Sequence, residues 1–484
     1  MAATAHQGDG MGNVMVVGGG PIGLAAAMLL ARDGHDVTVL EKDADSTPPS
    51  ADDAWGRWER GGVAQFRQAH YMQAKFRHLL DAELPDVRDE IAATGGIRHS
   101  LLGGILHSVD DRAPRPGDDR FETITARRPV LEAALARVAE NTPGVRIVRG
   151  VAVDGPVQNG SVSDGIPHVV GVRAKDGREF RADLVVDAMG RRSRFGEWVA
   201  AMGGRPPYEE ETDAGFAYYT RYFRSRNGGI PEVTGPLPAT FLSTLSILSL
   251  PADNDTWVVA LICSAGDKPL KALRHNEVWE RVVRSVPHLA HWTDGEPLHD
   301  VLPMAGVADR YRRFVLDGEP VVTGMVAVGD AWACTNPQAG RGITTGLKHA
   351  IGLRDVIREH TDDPHALATA FDALTEELCT PWYRLQVERD RARFASVQAA
   401  IDGREPPRPA ADDPIAQMQA AFGTAATYDA DVARAFLDMM ACLALPHEVL
   451  GRAGMVDKIR AVSAGREPPP HPGPSRAELL ALLE

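Results

Sequence analysis

Three glycines, Gly18, Gly20 and Gly23, stand in the spacing G-x-G-x-x-G, and an acid, Glu41, follows about 20 residues later. These residue types at this spacing suit the binding of an adenine dinucleotide. The first glycine allows a tight turn, the second lets backbone approach a pyrophosphate, and the third lets a helix pack closely on a strand. The diphosphate would rest on the helix N-terminus, where free N–H groups and the dipole favour an anion. Glu41 would accept hydrogen bonds from both ribose hydroxyls and repel a 2′-phosphate. Pro21 and Ile22, inside the turn, and Lys42, beside the acid, complete this station. Two more stations share its character. Asp187-Ala188-Met189-Gly190 ends one apolar run. Gly329-Asp330 ends another and leads through Asn336-Pro337-Gln338-Ala339-Gly340-Arg341-Gly342 to Ile343 and a helical stretch. A glycine-rich turn opening a helix again offers bare N–H groups to an anion or an electron-rich ring.

Strands and helices must hold these stations in place. Residues 14–17 and 37–40 are apolar runs long enough for strands buried on both faces. Residues 24–32, rich in Ala and Leu, read as the helix between them, with Gly34 placed to end it in a left-handed cap. Beyond Asp43 a polar, Pro/Gly-rich loop carries Trp55, Trp58 and Arg60, which mark an ordered functional loop. Residues 65–84 have helical spacing ending before Pro85, and two short strands are expected around residues 104–109. A strand at 122–126 leads into Arg128-Pro129-Val130-Leu131-Glu132, with proline at the start of a helix reaching residue 140. Residues 145–148 form another buried strand. A hairpin joins 168–174 to 178–181 around Lys175-Asp176-Gly177, and 182–188 returns to a buried parallel strand. Segments 215–223, 240–250 and 256–264 alternate like antiparallel strands with one face covered, and a helix at 278–286 closes that lobe. Residues 321–330 give a last buried strand and 340–359 a long helix. The remainder reads as helical: 364–400, a Pro-rich break at 403–414, then two or three more helices. Ser475 and Glu478 cap the last of these.

A chain of 484 residues is too long for one simple core. Its 44% hydrophobic and 24% charged residues are those of an ordinary soluble globular protein. A net charge of −14 with no Lys/Arg cluster argues against a nucleic-acid surface. Four scattered cysteines (Cys263, Cys334, Cys379, Cys442) show no zinc spacing and read as buried free thiols in a reducing cytoplasm; no metal site is expected. Residues 1–12 read as a frayed tail without a signal pattern, and no apolar run approaches a membrane span.

The three stations, in this order, resemble the FAD-binding motifs of the class A flavoprotein monooxygenase superfamily, over residues 13–360. The resemblance implies an α/β fold: a glutathione-reductase-like Rossmann domain for FAD, an inserted mixed β-sheet substrate domain, and a helical C-terminal region. The FAD domain would take residues 13–66, 118–206 and 300–360, the substrate domain 67–117 and 207–299, and the helical region 361–484. By the same resemblance Asp330 bonds a ribityl hydroxyl, and the 337–342 loop lies beside the isoalloxazine with its N–H groups facing the pyrimidine end. Arg128 matches the family arginine near the cofactor. Gly62-Val63-Ala64-Gln65-Phe66-Arg67-Gln68-Ala69-His70 is similar to the G-V-P-Q-x-x-x-x-H loop of bacterial tailoring oxygenases, including polyether epoxidases, with Ala64 in place of proline.

What this implies is oxygenation: reduced flavin adds O₂ to give a C4a-hydroperoxide, whose terminal oxygen hydroxylates or epoxidises a small, secondary-metabolite-like substrate. The cofactor carries the hard chemistry. His70, Gln65 and Arg60 are the candidate catalytic residues. His70 equally suits a plain structural hydrogen bond, Arg60 and Arg221 suit an anionic substrate or nothing special, and Trp55 and Trp58 suit a lid or a loop anchor. Cys334 reads as structural. Aromatic hydroxylases carry Asp-Gly where this chain has Met189-Gly190. This departure from the family pattern implies that electrons pass poorly, or not at all, directly from NADPH; NADPH or NADH is the electron source, directly or through a separate flavin reductase, and both routes stay open. The rival readings are a reductase or desaturase of the geranylgeranyl-reductase type and a non-catalytic flavoprotein. A halogenase is a variant whose W-x-W-x-I-P signature is not found.

Overall fold

The computed structural model describes residues 12–159, 165–235, 238–407, 410, 412–469 and 472–484. The expected frayed tail thus lies, but for Gly12, outside the described residues. A five-stranded parallel sheet forms the organising layer. Its strands are β1 (Asn13–Val17), β2 (Asp36–Glu41), β3 (Val145–Arg149), β4 (Leu184–Asp187) and β9 (Met325–Ala327), in the spatial order β9-β4-β1-β2-β3. Three distant parts of the chain therefore meet at the carboxyl ends of one sheet. Val14, Val16, Val37 and Val39 fill one face, and Met15, Val17 and Val185 the other. Burial on both faces is why these runs carry no polar alternation.

Helix α1 (Pro21–Arg32) crosses from β1 to β2 and ends at Asp33 and Gly34, the latter at φ +94°. It lies between α2 (Arg128–Glu140) and α3 (Gly342–Glu359), with Leu24, Ala25 and Met28 packed among Val130, Leu131, Ala134 and Leu347. An added Cβ at Gly346 of α3 would come within 2.7 Å of Ile22, so the two helices that carry the first and third stations touch closely. A second sheet, antiparallel, is built on β5 (Phe216–Arg224), β6 (Leu245–Pro251) and β7 (Thr256–Ser264). One face packs on the helix at Asn276–Arg284 through Trp279, Val282 and Val283. Strand β8 (Ala308–Arg313) pairs with Tyr208–Asp213 and with Ala333–Cys334, which follows the third station. Downstream, α4 (Thr380–Ile401) and α5 (Ala430–Met440) belong to a helical C-terminal part whose last helix has the expected Ser475–Glu478 capping box.

Four expectations about elements are corrected. The helix read over 65–84 begins only at Ala74, and Pro85 opens a second helix rather than ending the first. Residues 65–73 spend their polar groups on distant partners instead. Gln68 accepts from Thr220 Oγ1 at 2.6 Å and donates to Leu302 O at 3.3 Å, and Gln73 donates to Ala339 O at 2.7 Å. The strands expected near 104–109 are a short helical turn, because Leu106 and Val109 bury against Ala430 and Ala433 of α5. Segment 240–250 is a hairpin, closed by Leu242 N donating to Leu245 O at 2.8 Å. The helix over 364–400 breaks at Cys379 into Pro364–Leu378 and α4.

Candidate active site

An elongated cavity of about 410 Å³ runs past the carboxyl ends of the parallel strands, lined by Val17, Leu40, Glu41, Ala188 and Val328. That volume is within the usual range for a small-molecule or cofactor site. Its walls bring together most of the candidate residues: Gly18, Gly20, Pro21, Ile22, Glu41, Lys42, Arg60, Gln65, His70, Arg128, Gly190, Gly329, Asp330, Pro337, Gly340, Arg341, Gly342 and Ile343.

At one end the glycines divide their work. Gly18 sits at φ +110°, and a Cβ there would lie 2.5 Å from Ala188 O. A Cβ on Gly23 would lie 2.0 Å from Gly18 O, so this glycine serves close packing. A Cβ on Gly20 would meet nothing within 4 Å. The chain does not need a glycine there for its own packing, and the open space beside it belongs to the cavity. Glu41 Oε2 accepts from Gly19 N at 2.9 Å and from Arg60 Nη2 at 2.8 Å, and its Oε1 accepts from Asp43 N at 2.9 Å. A carboxylate has about four acceptor positions, which leaves capacity for a ligand hydroxyl.

Behind this end runs a buried chain of charges. Arg60 also donates to Asp43 at 2.9 Å and pairs with Glu132 at 3.3 Å. Burial works against its charge, but Glu132, Glu41 and Asp43 together hold its pKa above the ordinary value. Glu132 in turn accepts from Arg128 Nε at 2.6 Å. Arg128 Nη1 lies 3.1 Å from His70 Nε2, and His70 Nδ1 lies 2.9 Å from Gln68 O. Burial, reinforced by the Arg128 charge, pushes His70 down to about 3. A neutral imidazole fits both contacts, with Nδ1–H donating to the carbonyl and Nε2 accepting from the guanidinium. His70 is therefore an orienting partner for Arg128 rather than a proton donor near neutral pH.

At the other end, the loop opening α3 is tied down by residues far away in sequence. Gly340 adopts φ +63°, where a Cβ would come within 2.9 Å of Tyr71 O. Asn336 N donates to Asp309 Oδ1 at 2.7 Å, Tyr218 OH donates to the side-chain Oδ1 of Asn336, and Arg341 Nη1 donates to Gln386 Oε1 at 3.1 Å. Trp332, Trp382, Tyr383 and Gln386 complete the wall. The last three come from α4, and sequence reading missed them; the Trp382-Tyr383 pair was the one available hint.

Two candidates stand behind the wall rather than on it, Gly23 and Asp187. Asp187 is fully buried and accepts from Met189 N at 2.9 Å and from Ser193 Oγ, with burial raising its pKa to about 6. It shapes the turn that presents Met189 and Gly190. Arg221 is directed elsewhere, to Glu280 at 3.6 Å and His299 O at 3.3 Å. Trp55 packs edge-on against Tyr222 at 4.8 Å and Trp58 against Phe66 at 5.6 Å, which makes both loop anchors. Cys334 is buried, and desolvation lifts its thiol to about 11, so it is inert. Among the described residues no group of three or more His, Cys, Asp or Glu is arranged to hold a metal, and no helix is long and apolar enough to cross a membrane.

Residues 13–115 match the FAD dependent oxidoreductase family. Protein Rv3254 of Mycobacterium tuberculosis is 27% identical over 371 residues, 73% of this chain and 75% of its own length. An FAD-dependent urate hydroxylase of Mycolicibacterium vanbaalenii is 26% identical over 379 residues, 75% of this chain and 84% of its own. Among solved structures, pqsL of Pseudomonas aeruginosa, a probable FAD-dependent monooxygenase, aligns with a TM-score of 0.57 at 17% identity, over 80% of this chain and 99% of its own. At that identity the likeness speaks to the fold. The resemblance read from the three stations is borne out, and the chain is an FAD-dependent oxidoreductase.

Proposed function

We propose that this chain binds FAD along the cavity and uses it to oxygenate a small organic molecule, by hydroxylation or epoxidation. One observation carries the reading: the three stations line one elongated cavity, and at Gly20 a Cβ would project only into that space. The likeness to a urate hydroxylase supports oxygenation over the other flavin chemistries. In this reading the diphosphate lies on Gly20, Pro21 and Ile22 at the start of α1, and Glu41 and Lys42 hold the ribose. Asp187, through Met189 and Gly190, keeps the second station in shape. Asp330 bonds the ribityl chain, while Gly329, Pro337, Gly340, Arg341, Gly342 and Ile343 border the ring. Bound and reduced, FAD supplies the electrons and the oxygen activation. The protein's share is orientation: Glu132 and neutral His70 fix Arg128, and Glu41 and Asp43 fix Arg60, so neither guanidinium must reorganise when the ligand arrives.

Electrons come from NADPH or NADH, and we assign their delivery to a separate flavin reductase. Met189 is an uncharged thioether able to accept only weak hydrogen bonds where related hydroxylases carry an aspartate. The division into an FAD domain (13–66, 118–206, 300–360), a substrate domain (67–117, 207–299) and a helical region (361–484) is part of the same proposal. So is a cytoplasmic site of action, to which four buried free cysteines are suited.

The purified protein is expected to be yellow and to release FAD, not FMN, on denaturation. With candidate substrates and chemically reduced flavin, labelled O₂ should appear as one oxygen atom in the product. A colourless protein, or products that gain hydrogen but no oxygen, would refute the proposal. Anaerobic stopped-flow mixing with NADPH tests the electron route. Flavin bleaching at turnover-competent rates, on the order of 1–10³ s⁻¹, would remove the need for a reductase.

A further inference from the structure

Arg191 follows the second station and lines the cavity, partly buried. Among the described residues it forms no ion pair and no hydrogen bond, and its Nε is buried without a partner. Arg60, on the same cavity wall, is instead met by three carboxylates. The Arg191 charge is felt by Tyr218, Asp309 and Cys334, which surround the loop opening α3, so the guanidinium lies toward that end of the cavity. Asp309 feels its charge but forms no ion pair with it. Asp309 is engaged by Asn336 N at 2.7 Å, and Asp330, on the same wall, makes no pair with it within 4 Å. A guanidinium on a cavity wall with no hydrogen bond or ion pair of its own is available to an anionic group entering the cavity.

We propose that Arg191 anchors an acidic group of the substrate, a carboxylate or an ionised phenol or enol, so that the molecule oxygenated here binds as an anion. This rests on the FAD reading of the same cavity. The other source of anionic oxygen is the FAD diphosphate itself, whose place at the start of α1 already has the helix N-terminus, Arg60 and Arg128.

The test titrates FAD-loaded wild type, Arg191→Met and Arg191→Lys with matched ring acids and amides: salicylate and salicylamide, 1-naphthoate and 1-naphthamide, and anthracene-2-carboxylate and its amide. Binding is read from flavin absorbance and thermal shift. For at least one pair the acid should bind wild type about tenfold or more tighter than its amide, as a charge-assisted bond requires. Arg191→Met should abolish that preference and Arg191→Lys restore part of it, with FAD affinity unchanged within about threefold. Without ligand, Arg191→Met should melt no lower than wild type. Absence of any acid preference, a lower melting temperature, or loss of FAD with the preference intact would each overturn the proposal, the last assigning Arg191 to the diphosphate. Failure of wild type to retain FAD would instead overturn the cofactor reading.

Discussion

Two glycine-rich turns open helices onto the same cavity, yet they are built differently. The turn before α1 is held within the parallel sheet: Gly23 packs on Gly18 O, Gly18 packs on Ala188 O at the end of the adjacent strand, and Glu41 on the other adjacent strand holds Gly19 N. The turn before α3 borrows its shape. Gln73, Tyr218, Asp309 and Gln386, from four separate elements, hold Ala339, Asn336 and Arg341. A phosphate cradle needs only bare N–H groups and close backbone approach, which local sequence supplies. A rim for a planar ring needs side walls, and those come from other parts of the fold. The first turn should therefore tolerate change outside the parallel sheet, and the second should not.

The largest effect is expected where packing allows no relief. Gly23→Ala places a Cβ 2.0 Å from Gly18 O and should cost about 3 kcal/mol or more of stability, read by denaturant melts. Gly20→Val meets only open cavity, so it should leave the fold intact and lose FAD. Equal melting losses for the two would erase the distinction between a packing glycine and a ligand glycine. Next comes the third station. Asp330→Ala should weaken FAD binding by about 1.5–3 kcal/mol, roughly 10- to 150-fold in dissociation constant. An unchanged constant would reduce Gly329-Asp330 to a strand terminator.

Gln386→Leu probes the borrowed walls directly. It removes the Arg341 acceptor at 3.1 Å and should cost about 1–3 kcal/mol, appearing as weaker FAD binding although residue 386 belongs to the helical C-terminal part. FAD affinity equal to wild type would show that the second turn depends on remote elements no more than the first. The smallest effect is in pH. His70 supports the first end of the cavity. His349 supports the other: Gly329 N lies 3.3 Å from its Nδ1, and its Nε2 lies 2.9 Å from Thr375 Oγ1. Burial holds both histidines near 3, with the Arg128 charge assisting at His70. The folded state thus binds fewer protons than the unfolded chain, whose histidines titrate near 6.5. Stability is complete above that value and falls below it, by about 1.4 kcal/mol per histidine between about pH 7.5 and about pH 5.5. Chemical denaturation at the two pH values should show this loss, and each His→Gln variant should remove its own share.

Much of the site was legible in the residues. Val14, Val16, Val37 and Val39 announced strands buried on both faces, because such strands carry no polar positions to confuse the pattern. Misreadings fell where partners are remote. Residues 65–73 look helical, but Gln68 and Gln73 bond the antiparallel sheet and the third station instead. Leu106 and Val109 become a helical turn because α5 offers Ala430 and Ala433 as their cover.

By itself, then, the sequence determined what neighbouring residues can decide: G-x-G-x-x-G with Glu41, Gly-Asp before a glycine-rich helix start, and the strands that end in them. Their physics is short-ranged, a φ angle, a Cβ clash, a row of free N–H groups. Tertiary structure alone decided that His70 is a neutral support for Arg128, that α4 lends Trp382, Tyr383 and Gln386 to the cavity wall, and that Asp187 works from behind it. It also left Arg191, among the described residues, without an ion pair while pairing Arg60 three times. Protonation, desolvation and charge balance depend on everything packed around a group, and that surrounding is assembled from segments hundreds of residues apart.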